Sequence, residues 1–128
     1  MKKIKINNKI VVDKNETLLN VIKKINDSEY YFQIVVENDK LLGTISDGDI
    51  RRALLKGIKL DHTIIKCMNK KPIYGELNNA SQFKFLISKI PSIRKFLPVV
   101  DNNNKLKFII IDENIVTNKI ALVMAGGF

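Results

Sequence analysis

The sequence predicts an α+β fold built from two like halves in tandem, each strand, helix, strand, strand, helix, and related by a pseudo-two-fold axis. Three observations lead there. An apolar helical face at Leu18, Val21, Ile22 and Ile25 recurs 65 residues later at Phe83, Leu86, Ile87 and Ile90. The run Val35-Val36-Glu37-Asn38 recurs as Val99-Val100-Asp101-Asn102, one residue out of step. In each half a polar turn then leads into an apolar strand and the start of a second helix. Self-similarity at a fixed period means that one supersecondary unit is used twice.

In order, residues 1–8 are a short basic lead-in, Ile10-Val11-Val12 is a brief strand, and Asp13-Lys14-Asn15 is a turn. Residues 16–26 form a helix with Lys23 and Lys24 off its apolar face, and Asn15 or Thr17 caps it. Residues 32–36 are a strand, and Glu37-Asn38-Asp39-Lys40 makes a hairpin turn. Residues 41–45 are apolar or β-branched, as a buried strand requires. Ser46 or Asp47 then caps a helix with Ile50, Ala53 and Leu54 on one face, and Gly57 supplies a left-handed stop.

Residues 58–63 link the halves, and 64–68 make a helical turn that Lys70-Lys71-Pro72 ends. In the second half Pro98 begins a strand, a position where its missing N–H does no harm. Asn102-Asn103-Asn104 is the turn, 105–111 the returning strand and 112–118 a short helix. The expected boundaries are 1–60 for the first repeat, 61–118 for the second, and 119–128 for a separate segment.

Composition bounds the function. No apolar run is long enough to cross a membrane, which predicts no membrane partner. Cys67 is the one cysteine, so an internal disulfide framework is excluded and a reducing cytoplasm fits. Its expected state is a buried or half-buried thiol. His62 is the one histidine and is expected at the surface, so no His/Cys set exists to hold zinc. The net charge of +9 is scattered along the chain, and no aromatic platform exists to stack bases; nucleic acid is not the expected partner.

The chemistry concentrates at Gly43-Thr44-Ile45-Ser46-Asp47-Gly48-Asp49-Ile50-Arg51-Arg52. A helix that starts at the end of a strand leaves free N–H groups there, and these favour an anion such as phosphate. A carboxylate beside them repels phosphate but accepts well from ribose hydroxyls. The same residues also suit an ordinary capped strand–helix turn, and local chemistry leaves both readings open. Arg51 and Arg52 either reach a polyphosphate or face solvent. Ser46 has no nearby histidine to act as a base, and no catalytic dyad is evident.

Gly43-x-x-Ser46-x-x-Asp49 followed by Ile50 resembles the signature of CBS motifs, the cystathionine-β-synthase-type regulatory modules. The longer run from Ser46 to Gly57 resembles the CBS pairs of sugar-phosphate nucleotidyltransferases and isomerases. The resemblance implies tandem CBS repeats with an adenine-nucleotide site. There Ser46 would contact phosphate or ribose and Asp49 the ribose hydroxyls, with Thr44, Asp47 and Arg51 around them. The implied ligand is AMP, ADP or ATP, with no required cofactor and no metal, and the implied assembly is a homodimer through the helices. The second half departs from the signature. Phe108, Ile111 and Asn114 stand where Gly43, Ser46 and Asp49 would recur, so the corner at Ile111 and Asn114 is a degenerate second site.

The apolar run from Ile120 to Met124 followed by Ala125-Gly126-Gly127 resembles the opening of a sugar-phosphate nucleotidyltransferase catalytic domain. A glycine pair after a buried strand suits a loop that passes close to phosphates. The family's next Gly, Arg and Leu do not follow here. The expectation is a non-catalytic, regulatory fragment of an enzyme that makes an activated sugar for cell-surface glycans. The alternatives are a ligand-free dimerisation or positioning module and, for residues 119–128, an added edge strand or tail.

Overall fold

Two sheets share one core, and the chain crosses between them at its first strand. The computed structural model describes residues 1–91 and 94–112. The first sheet has the order β2-β3-β4, with β2 (Val11–Asp13) parallel to β3 (Phe32–Glu37) and β3 antiparallel to β4 (Lys40–Ser46). The second has the order β1-β7-β6-β5, from β1 (Lys2–Lys5), β7 (Leu106–Ile111), β6 (Phe96–Val100) and β5 (Gly75–Glu76). Helices α1 (Leu18–Asp27) and α2 (Asp47–Leu55) cover the first sheet, and α3 (Phe83–Ser88) covers the second. This is the mixed α+β architecture that the repeat predicts.

The helix ends follow local chemistry. Of the two candidate caps on α1, Thr17 is the one used: its Oγ1 accepts from the Asn20 N–H at 3.3 Å. Leu18 and Val21 are fully buried beneath the helix. α2 ends at Gly57, whose φ of +89° is the left-handed conformation a glycine adopts without a Cβ clash. Both hairpins turn through left-handed asparagine or aspartate, at Asn38 and Asp39 in one and Asn104 in the other.

The two hairpins also hold each other. The Leu41 N–H donates to the Asn104 carbonyl at 3.0 Å, and the Leu106 N–H donates to the Asp39 carbonyl at 2.9 Å. Asp39 and Asn104, like Leu41 and Leu106, are related by the 65-residue spacing, so the contact is symmetric about the pseudo-two-fold axis.

Apolar residues lie on both faces of each sheet. Ile4, Ile10, Ile34, Val100, Ile109 and Ile111 pack between the sheets. At the edge of that layer Phe32 and Phe96 stack with ring centroids 4.0 Å apart and planes at 5°. Val12, Leu18, Val35, Ile45 and Ile50 pack under α1 and α2, and Ile87, Leu97, Val99 and Phe108 pack under α3.

Three elements differ from the sequence expectation. The basic lead-in contains β1, which pairs antiparallel with β7 of the other half, from Lys2 opposite Ile111 to Lys5 opposite Phe108. Ile4 is its one buried apolar side chain, too little to mark a strand, while the Lys3 ammonium sits over the Phe108 ring at 4.2 Å. β5 is two residues long and carries no periodic pattern. Pro98 lies inside β6, not at its start. It is tolerated because β5 pairs only with Val99 and Val100, which leaves no ladder residue beside Pro98 on that side. The helix expected over 112–118, apart from Asp112, and the segment 119–128 lie outside the described residues.

Ile34 and Ile109 are fully buried in the layer shared by both sheets. Truncating either to alanine is expected to lower stability by about 2–5 kcal/mol. Urea unfolding followed by circular dichroism should show a single transition shifted to lower urea, with both halves melting together.

Candidate functional site

At the C-terminal end of β4 the chain turns into α2 through a reciprocal cap. The Ser46 N–H donates to Asp49 Oδ2 at 2.9 Å, and the Asp49 N–H donates to Ser46 Oγ at 3.4 Å. The Ser46 hydroxyl also lies 3.1 Å from Asp49 Oδ2, and an Arg52 N–H donates to Asp49 Oδ1 at 2.7 Å. Such a cap satisfies two orphan donors of the first helical turn. It also fixes both side chains at the mouth of a cleft.

That cleft has a volume of about 310 Å³ and lies between the two halves. Thr44, Ser46, Asp49 and Arg52 form one wall. Asn69, Lys71, Pro72 and Ile73 line it too, as do Ile90, Pro91 and Phe96 of the second half. The lining therefore combines hydrogen-bonding groups, two cationic side chains and an apolar surface.

A close backbone approach builds it. Thr44 and Asn69 exchange N–H···O bonds of 3.1 and 2.8 Å, which lays the linker, here continuing past residue 63 to Asn69, along the free edge of β4. Only glycine fits beneath this contact. A Cβ on Gly43 would stand 2.6 Å from the Asn69 carbonyl oxygen and 3.0 Å from the Met68 sulfur.

Residues 2–56 match the family model of the CBS domain. The chain has the fold of a CBS domain pair. The CBS domain protein of Streptococcus pneumoniae TIGR4 superposes with a TM-score of 0.72 at 19% identity, covering 92% of this chain and 79% of that one. The CBS domain pair of protein MJ0100, solved with 5-methylthioadenosine and S-adenosyl-L-methionine, gives 0.68 at 21% identity, covering 87% and 90%. The cytosolic domain of the Mg²⁺ channel MgtE in complex with ATP gives 0.66 at 22%, covering 84% and 44%. An uncharacterized protein of Helicobacter pylori (strain J99) is 46% identical over 39 residues. The match spans 30% of this chain and 12% of that curated relative.

Within this fold, the predicted site residues separate. Thr44, Ser46 and Asp49 line the cleft together. Asp47 and Arg51 are not among its lining residues: both are exposed, and Asp47 forms an ion pair with Arg94 at 3.0 Å. Arg52, one residue further along the helix, takes the place by the cleft. Ile111 is buried in the layer between the sheets opposite Lys2, so packing fills that corner of the second half. Asn114 lies outside the described residues. Periodicity does not reveal Asn69, Lys71 and Pro72, because they form no regular element; the glycine at 43 is the sequence signal that another segment of the chain passes close there.

Cys67 is half-buried, as expected, and its thiol lies 4.0 Å from the Thr63 carbonyl. Burial, and then the Asp49 carboxylate nearby, push its pKa above the usual thiol value. His62 is half-buried, not fully at the surface, and its Nδ1 accepts from the Lys59 N–H at 3.0 Å within the linker. Among the described residues no group of His, Cys, Asp and Glu could hold a metal, and no helix is long and apolar enough to cross a membrane.

Two outcomes follow from this geometry. Gly43→Ala is expected to destabilise the chain by roughly 1–3 kcal/mol through overpacking against the linker, read as a lower thermal midpoint. Cys67 should react with iodoacetamide at pH 8 more slowly than a free thiol, because less thiolate is present, and Asp49→Asn should speed it. The rate is read by mass spectrometry.

Proposed function

We propose that this chain is a regulatory module that binds an adenine nucleotide in the cleft between its halves. The observation that carries the reading is the convergence of Ser46, Asp49 and Lys71 on one cleft at the N-terminus of α2. The Asp49 carboxylate would accept from ribose hydroxyls. The α2 N-terminus and the Lys71 ammonium would face phosphate. Pro72, Ile73 and Ile90 offer an apolar surface for a flat base. MgtE with ATP and MJ0100 with S-adenosyl-L-methionine, two similar folds, hold adenosine-containing ligands, which supports the same class of ligand here.

The resemblance of the Ser46–Gly57 run supports a finer reading: the module regulates a sugar-phosphate nucleotidyltransferase in the cytoplasm. Regulation of that kind requires different nucleotide affinities in two conformational states, since equal affinity shifts nothing. A homodimer through the helices fits the exposed apolar side chains Leu19, Leu54 and Leu55 on α1 and α2. The same residues support the second reading, in which the pair serves only to dimerise or position a catalytic domain.

Thermal unfolding with AMP, ADP, ATP and GTP separates these readings. At about 100 times its dissociation constant, a ligand specific to the folded state adds ~2.7 kcal/mol. For a chain of this size that is a midpoint shift of roughly 8–16 °C, at roughly 3–6 °C per kcal/mol. Adenine nucleotides are expected to raise the midpoint, and Asp49→Ala, compared with its own ligand-free midpoint, is expected to lose the shift. No shift with any nucleotide would leave the dimerisation module as the function.

A further inference from the structure

Both carboxylates at the start of α2 carry their own arginine. Asp49, inside the cleft, is held by Arg52 of the same helix at 2.7 Å. Asp47, outside it, is held by Arg94 at 3.0 Å, and Arg94 comes from the other half of the chain. The guanidinium of Arg94 also stacks 3.6 Å above the Tyr31 ring. Pro91 and Phe96, which flank Arg94 in sequence, line the cleft, whereas Arg94 and Asp47 stand just beyond its lining. The ion pair therefore bridges the two halves at the rim, next to the N-terminus of α2.

This pair is built to exchange partners. Its side chains are 36% and 48% exposed, and an ion pair so open to water contributes little to stability. A phosphate offers arginine more charge and the same forked geometry as a carboxylate. We infer that Arg94 lets the cleft distinguish nucleoside di- and triphosphates from monophosphates, by leaving Asp47 for a terminal phosphate that extends past the rim. This rests on the nucleotide reading above. With ribose at Asp49, the first phosphate lies by the α2 N-terminus and Lys71, and only a longer phosphate chain continues to Arg94.

The test is calorimetric titration of the full chain with AMP and with ATP, without divalent cations, for the wild type, Arg94→Ala and Asp47→Asn. Arg94→Ala is expected to weaken ATP by about tenfold, the loss of one charged hydrogen-bonding partner, and to change AMP by less than about twofold. Asp47→Asn removes the competing carboxylate and is expected to tighten ATP severalfold while AMP is unchanged. Equal losses for AMP and ATP in Arg94→Ala would make the arginine a structural brace and overturn the inference. So would weaker ATP binding in Asp47→Asn, which also decides the matter if Arg94→Ala fails to fold. A wild type that binds neither nucleotide would overturn the nucleotide reading itself, whereas one that binds AMP and ATP equally would overturn only the role of Arg94.

Discussion

The backbone pair between Thr44 and Asn69 is the contact on which the arrangement of the site depends. β4 would otherwise present a free edge, with unpaired N–H and C=O groups beside a buried core. The linker closes that edge, and closing it brings Asn69, Lys71 and Pro72 to the cleft. The second sheet solves the same problem in the same way: β1 closes the edge of β7. Each half therefore covers the edge of the other with the segment that precedes it in the chain. Neither sheet is complete alone, which is why the apolar layer between them behaves as one core.

The α2 corner shows how one set of groups serves folding and chemistry together. Ser46 and Asp49 are needed as a helix cap whatever else they do, because the first-turn N–H groups require partners. The same cap turns a hydroxyl and a carboxylate toward the cleft, and Arg52 offsets the negative charge that would otherwise repel a phosphate. In the second half the residues at the corresponding positions, Ile111 and Phe108, are buried beside the β1 pairing.

Much of this was legible in the sequence. The repeat at 65 residues, the apolar faces of α1 and α3 and the Ser46 cap follow from periodicity and capping chemistry, and they carry the fold. What was not legible was pairing at a distance. Ile4 alone does not mark β1 as a strand, because its lysines are placed by the partner strand and by the Phe108 ring. Gly75 and Glu76 become β5 only because β6 lies beside them. Pro98 sits inside a strand because its neighbour is too short to reach it. At the cleft, Thr44, Ser46 and Asp49 come from one contiguous motif, whereas the lining from the linker and the second half is assembled by tertiary contact. Arg51 and Arg52 could not be ranked from sequence, since one helical step decides which faces the cleft.

The clasp between the hairpin tips has a consequence for how such a chain can vary. Turn tips ordinarily absorb insertions and deletions at little cost, because nothing else depends on their length. Here the Leu41–Asn104 and Leu106–Asp39 bonds make each tip the template for the other. A residue added to one tip would leave two donors and two acceptors without partners. Drift in loop length should therefore be coupled across the pseudo-two-fold axis, with the two tips changing together or not at all.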